Sequence, residues 1–239
     1  MITESKPKKC IFCGPVRNCG KYLDQVFRNI EKMGAIFDEY EIFIFYDHST
    51  DNTLHKLQEY KKTHSNKLTF HINTNTNKLS PYRTHNIATA RNMCLNHIKE
   101  RNKQLQTQPF EFMIMMDFDD VNIKTCHPHI IQKYLQPEYD DKWDALSFQS
   151  SPYYYDIWAL SFYPFCYSYN HFRENTKYYQ IISHYVTHKL NNRASHHPAP
   201  NHLLPCISAF NGLAIYRIPK TENCQYDGSV NLNLLPKHM

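Results

Sequence analysis

Hydrophobic and polar positions follow two rhythms along the first two thirds of the chain. Unbroken apolar runs stand at 8–13 ("KKCIFC"), 40–47 ("YEIFIFYD"), 67–72 ("KLTFHI") and 110–116 ("FEFMIMM"). They are too short for helices and carry strand composition. Between the first two, residues 20–37 place Leu23, Val26, Phe27, Ile30, Met33 and Phe37 at helical spacing. "STDN" at 49–52 is rich in N-cap residues and predicts a helix through Leu54, Leu57 and Tyr60. Residues 83–101 and 125–136 also read as helices, and "WDALSFQ" at 143–149 as a strand. Alternating strand and helix predicts an α/β fold, a mostly parallel sheet with helices on both faces. Unbroken apolar strands suit it because both faces are covered. The rhythm breaks after residue 150, where Tyr, His and Pro are frequent. A helix near 174–190, a strand at 207–218 and a loop at 191–202 are expected there. Neither an internal repeat nor a low-complexity linker interrupts the chain, so 1–239 reads as a single domain with halves at 8–149 and 150–239.

The run "FMIMMDFDD" ends an oily strand in Asp117, Asp119 and Asp120. In open parallel sheets ligands bind beyond the carboxyl ends of the strands. The first strand runs toward Gly14 and Asn18, the second into Asp47 and Ser49, the fourth into Asp117 and Asp119. Crowded carboxylates raise one another's pKa, and a divalent cation removes that cost. Their hard oxygens favour Mg²⁺ or Mn²⁺. Residues two apart in extended chain point the same way, so Asp117 and Asp119 can share a site while Asp120 faces elsewhere. The alternative is a solvated acidic turn. On the helix "RTHNIATARNMCLNHI", residues Ile87, Arg91, Cys94 and Ile98 form one stripe. A guanidinium there needs an anion. That partner is either a carboxylate, Asp47 or Asp117, or a bound pyrophosphate. Arg83 stands at the helix start, where anions are favoured, and reads as a ligand contact.

Composition narrows these readings. The 239 residues are 41% hydrophobic, enough for a sizeable core. A net charge of +5, spread along the chain, suits a small polyanion and gives no basic patch for nucleic acid. Only five glycines are present, with no glycine-rich phosphate loop among them. There is no apolar run of about 18 residues for a transmembrane helix. "MITESKPKK" lacks a signal-peptide core, so a cytoplasmic protein with eight reduced cysteines is expected. A zinc module could draw on Cys10, Cys13, Cys19, His184 and His188. Against it, Cys10 and Cys13 fall on opposite faces of a buried strand, and no second C-x-x-C exists.

"FYDHSTDNT", "ATARN" and "MMDFDD", in that order, resemble the nucleotide-diphospho-sugar glycosyltransferases of the GT-A fold. Fungal capsule-associated mannosyltransferases and similar viral and bacterial enzymes have this look. "SPYYYDIWAL" and "FNGLAIYRI" resemble their acceptor-side segments, and the likeness spans about 9–217. It implies a UDP- or GDP-linked sugar as donor, a glycan or other hydroxyl as acceptor, and Mn²⁺ or Mg²⁺. Tyr46 and Asp47 would meet the base or ribose. Asp117 would touch ribose or metal, and Asp119 would ligate the metal. Arg83 and Arg91 would neutralise the diphosphate or brace the acidic loop. The pair usually written Glu-Asn is Asp47-His48 here, which leaves the base open. The late metal-ligand histidine has no clear counterpart, and His238 is the position offered for it. An inverting enzyme needs a carboxylate base. Asp156 is the candidate, the alternative being a helix-start cap or a structural hydrogen bond. Tyr154, Tyr155 and Trp158 read either as a sugar-stacking platform or as core. Asn211 and Gly212 would line the acceptor pocket. Two alternatives remain: a nucleotidyltransferase of related fold, and a non-catalytic binder of sugar nucleotides.

Overall fold

The computed structural model describes residues 8–75, 80–105, 108–149, 154–162, 165–166, 179–196 and 203–229. Six strands form one sheet: β1 (Lys9–Val16), β2 (Glu39–Tyr46), β3 (Leu68–Ile72), β4 (Phe112–Met116), β5 (Ala145–Ser147) and, late in the chain, β8 (Leu213–Arg217). Their order is β3-β2-β1-β4-β8-β5. β1 pairs in parallel with β2 and β4, and β2 with β3. The register sets Cys13 beside Met115 and Val16 beside Tyr46, so β1, β2 and β4 end at one edge. This is the expected α/β architecture. Every β4 side chain is buried, as its unbroken apolar run requires. β4 ends close against Gly14, where a Cβ would lie 2.1 Å from the Met116 carbonyl oxygen. Only glycine admits that approach.

Three helices cover the sheet. α1 (Gly20–Gly34) buries Leu23, Val26, Phe27, Ile30 and Met33, the predicted stripe, together with Asn29. α2 (Thr53–Thr63) buries Leu57, and its Tyr60 ring stacks on Phe27 at 3.9 Å. α3 (Arg83–Leu105) buries Ala88, Ala90, Cys94 and Ile98. It reaches β2 where His97 stacks on Phe43 and Arg101 clasps Glu41. Burial pushes the His97 pKa down and the Arg101 charge adds to the fall, against the opposing charge of Glu41. α4 (Pro128–Tyr134) follows the acidic loop. No helix among the described residues is long and apolar enough to cross a membrane.

Several boundaries differ from the sequence reading. β1 runs three residues past Cys13 on its β2 side, while its β4 ladder stops there. Pro15 therefore stands where one side of the ladder is already open. α1 stops at Gly34, and Phe37 enters the core from the following turn, against Phe12 and Phe112. A buried aromatic in a turn mimics continued helical periodicity. α4 and β5 are shorter than expected. The run 207–218 is not one strand, because Gly212 sits at φ 80° and β8 begins only at Leu213.

The chain divides into two compact units: Met1–Ala145 with Ile215–Gly228, and Leu146–Ala214 with Ser229–Met239. The second has its own core of Tyr154, Ile157, Leu160, Phe162, Val186 and Leu190. It holds the short antiparallel pair β6 (Ser161–Phe162) and β7 (Phe165–Cys166) and the helix α5 (Tyr179–His196). α5 extends the expected 174–190 helix through Asn191 and Asn192, where a loop was expected. The Asn192 amide meets His188 one turn back at 2.9 Å. A short helix, α6 (Ile218–Thr221), follows β8.

Candidate functional site

Beyond β4 the alternation lasts through Asp119: Phe118 is buried and Asp117 and Asp119 are partly exposed, while Asp120, exposed, begins a turn of 3₁₀ helix. The loop is fastened on both sides. Asn122 donates its amide to the Asp117 carbonyl at 2.7 Å. Asp119 opens a single turn of 3₁₀ helix by accepting from the Val121 N–H at 3.2 Å. From α1, the buried Asn29 amide donates to the carbonyls of Asn122 and Lys124, both at 2.8 Å. Asn29 lies inside the apolar stripe of α1, and a polar residue in such a stripe is the signal that could have found it.

The two carboxylates differ electrically. Asp117 forms an ion pair with Arg91 at 3.2 Å. This is one of the two partners that the buried stripe left open. Arg91 also lies over the Tyr226 ring, its guanidinium carbon 5.5 Å from the centroid. Its neighbour Asn92 ties down the same segment, accepting from the Tyr226 N–H and donating to the Tyr226 carbonyl. "ATARN" is thus a pair of braces: one for the acidic strand end, one for the returning chain. Asp119 has weaker compensation. Burial pushes its carboxyl pKa up and Asp120 adds to the rise, against the Val121 N–H and the more distant charge of Arg83. Arg83 is the exposed first residue of α3. The buried Cys19 thiol stands in the same field. Burial, helped by Asp119, Asp51 and Asp117, pushes it up to about 11, so it stays protonated.

The turn from β1 into α1 is held from the next βα turn. The N–H of Asn18 donates to Ser49 Oγ at 3.0 Å, that of Cys19 to Thr53 Oγ1 at 2.8 Å, and that of Gly20 to Asp51 Oδ2 at 2.9 Å. Asn18, in the left-handed region at φ 53°, returns its side-chain oxygen to the Thr50 N–H. Asp51 also accepts from the N–H and hydroxyl of Thr53. Burial raises the Asp51 pKa, but the Thr53 and Gly20 hydrogen bonds outweigh it and hold the carboxyl below its ordinary range. Ser49, Asp51 and Thr53 therefore occupy amides at the start of α1 that an anionic ligand could otherwise take. Local sequence reading saw N-cap residues in "STDN" but not their partners, which lie 31 to 34 positions away.

Asp47 follows β2. Its carboxylate meets Arg17 at 3.3 Å and accepts from the Asn73 amide at 3.0 Å. Tyr46 is buried, and its hydroxyl accepts from the Ser49 N–H at 3.3 Å.

In the second unit, Asn211 is buried and acts as a staple. Its side-chain oxygen accepts from the N–H groups of Tyr155 and Asp156 at 2.7 and 3.0 Å, and its amide donates to the Phe148 carbonyl at 2.9 Å. Tyr154 is core, and Tyr155 is exposed. Asp156 precedes the 3₁₀ turn Ile157–Ala159 at the cap position, yet its side chain makes no capping hydrogen bond. The backbone of Trp158 lies in that turn. The Trp158 side chain and all of His238 lie outside the described residues.

Among the described residues no three His, Cys, Asp or Glu side chains gather as a metal-holding set. Cys10 and Cys13 are fully buried in β1. No curated protein matches the chain. Among solved structures, the mannosyltransferase PcManGT from Pyrobaculum calidifontis, in complex with GDP-Man and Mn²⁺, is 18% identical with a TM-score of 0.38, over 62% of this chain and 37% of that one. S. aureus TarS 1-349 in complex with UDP-GlcNAc is 24% identical with a TM-score of 0.27, over 47% and 26%. Glucosyl-3-phosphoglycerate synthase from Mycobacterium tuberculosis, in complex with UDP, is 12% identical with a TM-score of 0.37, over 88% and 57%. The chain spans less than two thirds of each of these proteins. The family model of glycosyl transferase family 2 matches residues 12–197, most of the sequence. The chain belongs to glycosyl transferase family 2.

Proposed function

We propose that this chain transfers a sugar from a nucleoside-diphosphate sugar to a hydroxyl of a glycan or other acceptor. One observation carries the reading beyond the family. At the carboxyl edge of the sheet, Asp119 is a partly buried carboxylate with incomplete compensation, beside an Asp117 already paired to Arg91. Two carboxylates, with no third His, Cys, Asp or Glu gathered beside them among the described residues, fit Mg²⁺ or Mn²⁺, which take much of their coordination from phosphate and water. They do not fit a closed structural metal site. Asp117 and Asp119 would hold the cation, which when bound stabilises negative charge on the departing diphosphate.

The chain's own residues do the rest. Arg83, exposed at the start of α3, offers a guanidinium to the diphosphate. Arg91 fixes the Asp117 carboxylate in one orientation. The Ser49–Asp51–Thr53 clamp holds the β1–α1 turn rigid and takes up its amides, which leaves diphosphate charge to the cations. Asp47 and Tyr46 belong to the base and ribose side. Asp156, with its backbone pinned by Asn211, would receive the proton of the acceptor hydroxyl, and Tyr155, Trp158 and Asn211 would line the acceptor side. His238 would complete the metal ligands. The free thiols of the described cysteines fit a reducing compartment such as the cytoplasm. The test is turnover of a panel of UDP- and GDP-sugars with and without Mn²⁺. Metal-dependent release of a nucleoside diphosphate is expected. Release of pyrophosphate would identify a nucleotidyltransferase instead, and binding without turnover a non-catalytic relative.

A further inference from the structure

The guanidinium that pairs with Asp117 is itself held by a ring from late in the chain. Arg91 Nη2 meets Asp117 Oδ1 at 3.2 Å, and Arg91 Cζ lies 5.5 Å from the centroid of Tyr226, within cation–π range. The Arg91 side chain is only 14% exposed, and such a contact counts for more where water is scarce. Burial pushes the Tyr226 phenol well up, so a neutral ring rather than a phenolate meets Arg91. The Tyr226 hydroxyl is buried without a hydrogen-bond partner of ordinary geometry among the described residues, so its oxygen is not what the position needs.

The segment that returns after α6 is seated on α3 at two points. Asn92, next to Arg91, accepts from the Tyr226 N–H at 2.8 Å and donates to the Tyr226 carbonyl at 2.9 Å. Two residues on, a Cβ at Gly228 would stand 2.4 Å from the Thr84 carbonyl oxygen and 2.6 Å from the His85 Cα, so only glycine passes there. The backbone is therefore fixed where the ring meets the guanidinium. As packing alone, an aliphatic side chain would serve; a ring face adds negative charge directed at a cation. We infer that Tyr226 is a positioning residue for the cation site: its ring fixes Arg91, Arg91 fixes the Asp117 carboxylate, and the fixed carboxylate takes up a divalent cation with Asp119 more tightly. Groups behind a metal's ligands act on affinity in this way. This rests on the proposed assignment of Asp117 and Asp119 to the cation and adds a residue that acts on it through Arg91.

The experiment reads Mn²⁺ uptake by electron paramagnetic resonance, with UDP and separately with GDP. The full chain carries Tyr226→Phe, and then phenylalanines of increasing ring fluorination at the same position. Fluorine drains negative charge from the ring face with little change of shape, so it weakens a cation–π contact in steps while packing stays. Tyr226→Phe should keep Mn²⁺ affinity within about twofold, because the ring carries the contact. The fluorinated series should lose affinity in steps, to about fivefold at the most fluorinated ring, the factor one sheltered cation–π pair supplies. Tyr226→Leu should lose at least as much. Thermal melting follows folding, and should the leucine variant fail to fold, the fluorinated series still decides. In an Arg91→Met background the series should be flat, since the two residues act as a pair. A flat series with Arg91 present overturns the inference, as does an equal gradient with Arg91 replaced. If the wild type gains Mn²⁺ affinity from a nucleoside diphosphate and the series is flat, Tyr226 is packing alone and the cation assignment stands. If the wild type gains none from either nucleotide, both fall.

Discussion

At the end of β2, Asp47 stands among donors: Arg17, Asn73 and the His48 amide all point at one carboxylate. At the end of β4, Arg91 pairs with Asp117, and Asp119 sets the backbone N–H groups of Val121 and of its own residue and the charge of Arg83 against its burial and the charge of Asp120, with burial prevailing. Both are aspartates at the same sheet edge, following apolar strands of similar make. They differ in how completely the protein satisfies them. A carboxylate supplied with its own donors is a fixed acceptor, suited to recognising an N–H. One left short of compensation is a place for a cation. The contrast separates recognition from charge handling within one unit, and each of the following variants breaks or sharpens it.

The largest effect is expected for Asp119→Ala. Metal-dependent turnover should fall by on the order of 10²–10³-fold, as when a main electrostatic contact to the leaving group is lost, with folding retained on thermal melting. Arg91→Ala comes next. It strips Asp117 of its partner and Tyr226 of its stacked cation, and should cost about 2 kcal/mol by denaturant titration, at the lower end for a pair that keeps some solvent. Asp117→Asn in the same background should cost far less than it does alone if the two residues act as a pair. Asn29→Ala leaves the Asn122 and Lys124 carbonyls without that donor. It should cost about 1–2 kcal/mol and weaken Mn²⁺ binding by about tenfold, since it loosens the loop that aims Asp119.

The smallest effect has a sign of its own. The Asp119 carboxyl is raised in the fold, so folding favours its protonated form. Its contribution is fully present below the ordinary carboxylate range and is lost as pH rises through the raised value. Asp119→Asn stays neutral at every pH. Without metal it should melt about 2 °C above the wild type at neutral pH, and the gap should close as the pH falls below about 4. A variant that melts lower at neutral pH would show that Asp119 is already compensated.

Much of this was legible before any coordinates. Continuous apolar runs marked β1, β2 and β4, because the central positions of strands covered on both faces are filled with apolar side chains. The two-residue period put Asp117 and Asp119 on one side; both are partly exposed, and the Phe118 between them is buried. A cation in the α3 stripe pointed to Arg91, though not to which anion it would choose. The rest was hidden for one physical reason: the bonds that shape this edge join residues far apart in sequence. Ser49, Asp51 and Thr53 look like local caps, and nothing near them reveals the amides of residues 18–20. Asn73 and Arg17 meet Asp47 only because β3 and β1 flank β2 in the sheet. Asn92 meets Tyr226 across 134 positions. Glycine and aromatic effects misled the boundaries: Phe37 continues a helical rhythm from a turn, and Gly212 breaks an apolar run that otherwise reads as one strand.

Uptake of free Mn²⁺, followed by electron paramagnetic resonance with and without UDP (and with GDP as a second arm), probes the β4 edge most directly. The wild type should take up Mn²⁺ more tightly with a nucleoside diphosphate present than the nucleotide alone does, and Asp119→Asn should lose that gain while keeping its fold. An Asp119→Asn variant that binds Mn²⁺ and nucleotide as the wild type does would contradict the shared-cation assignment.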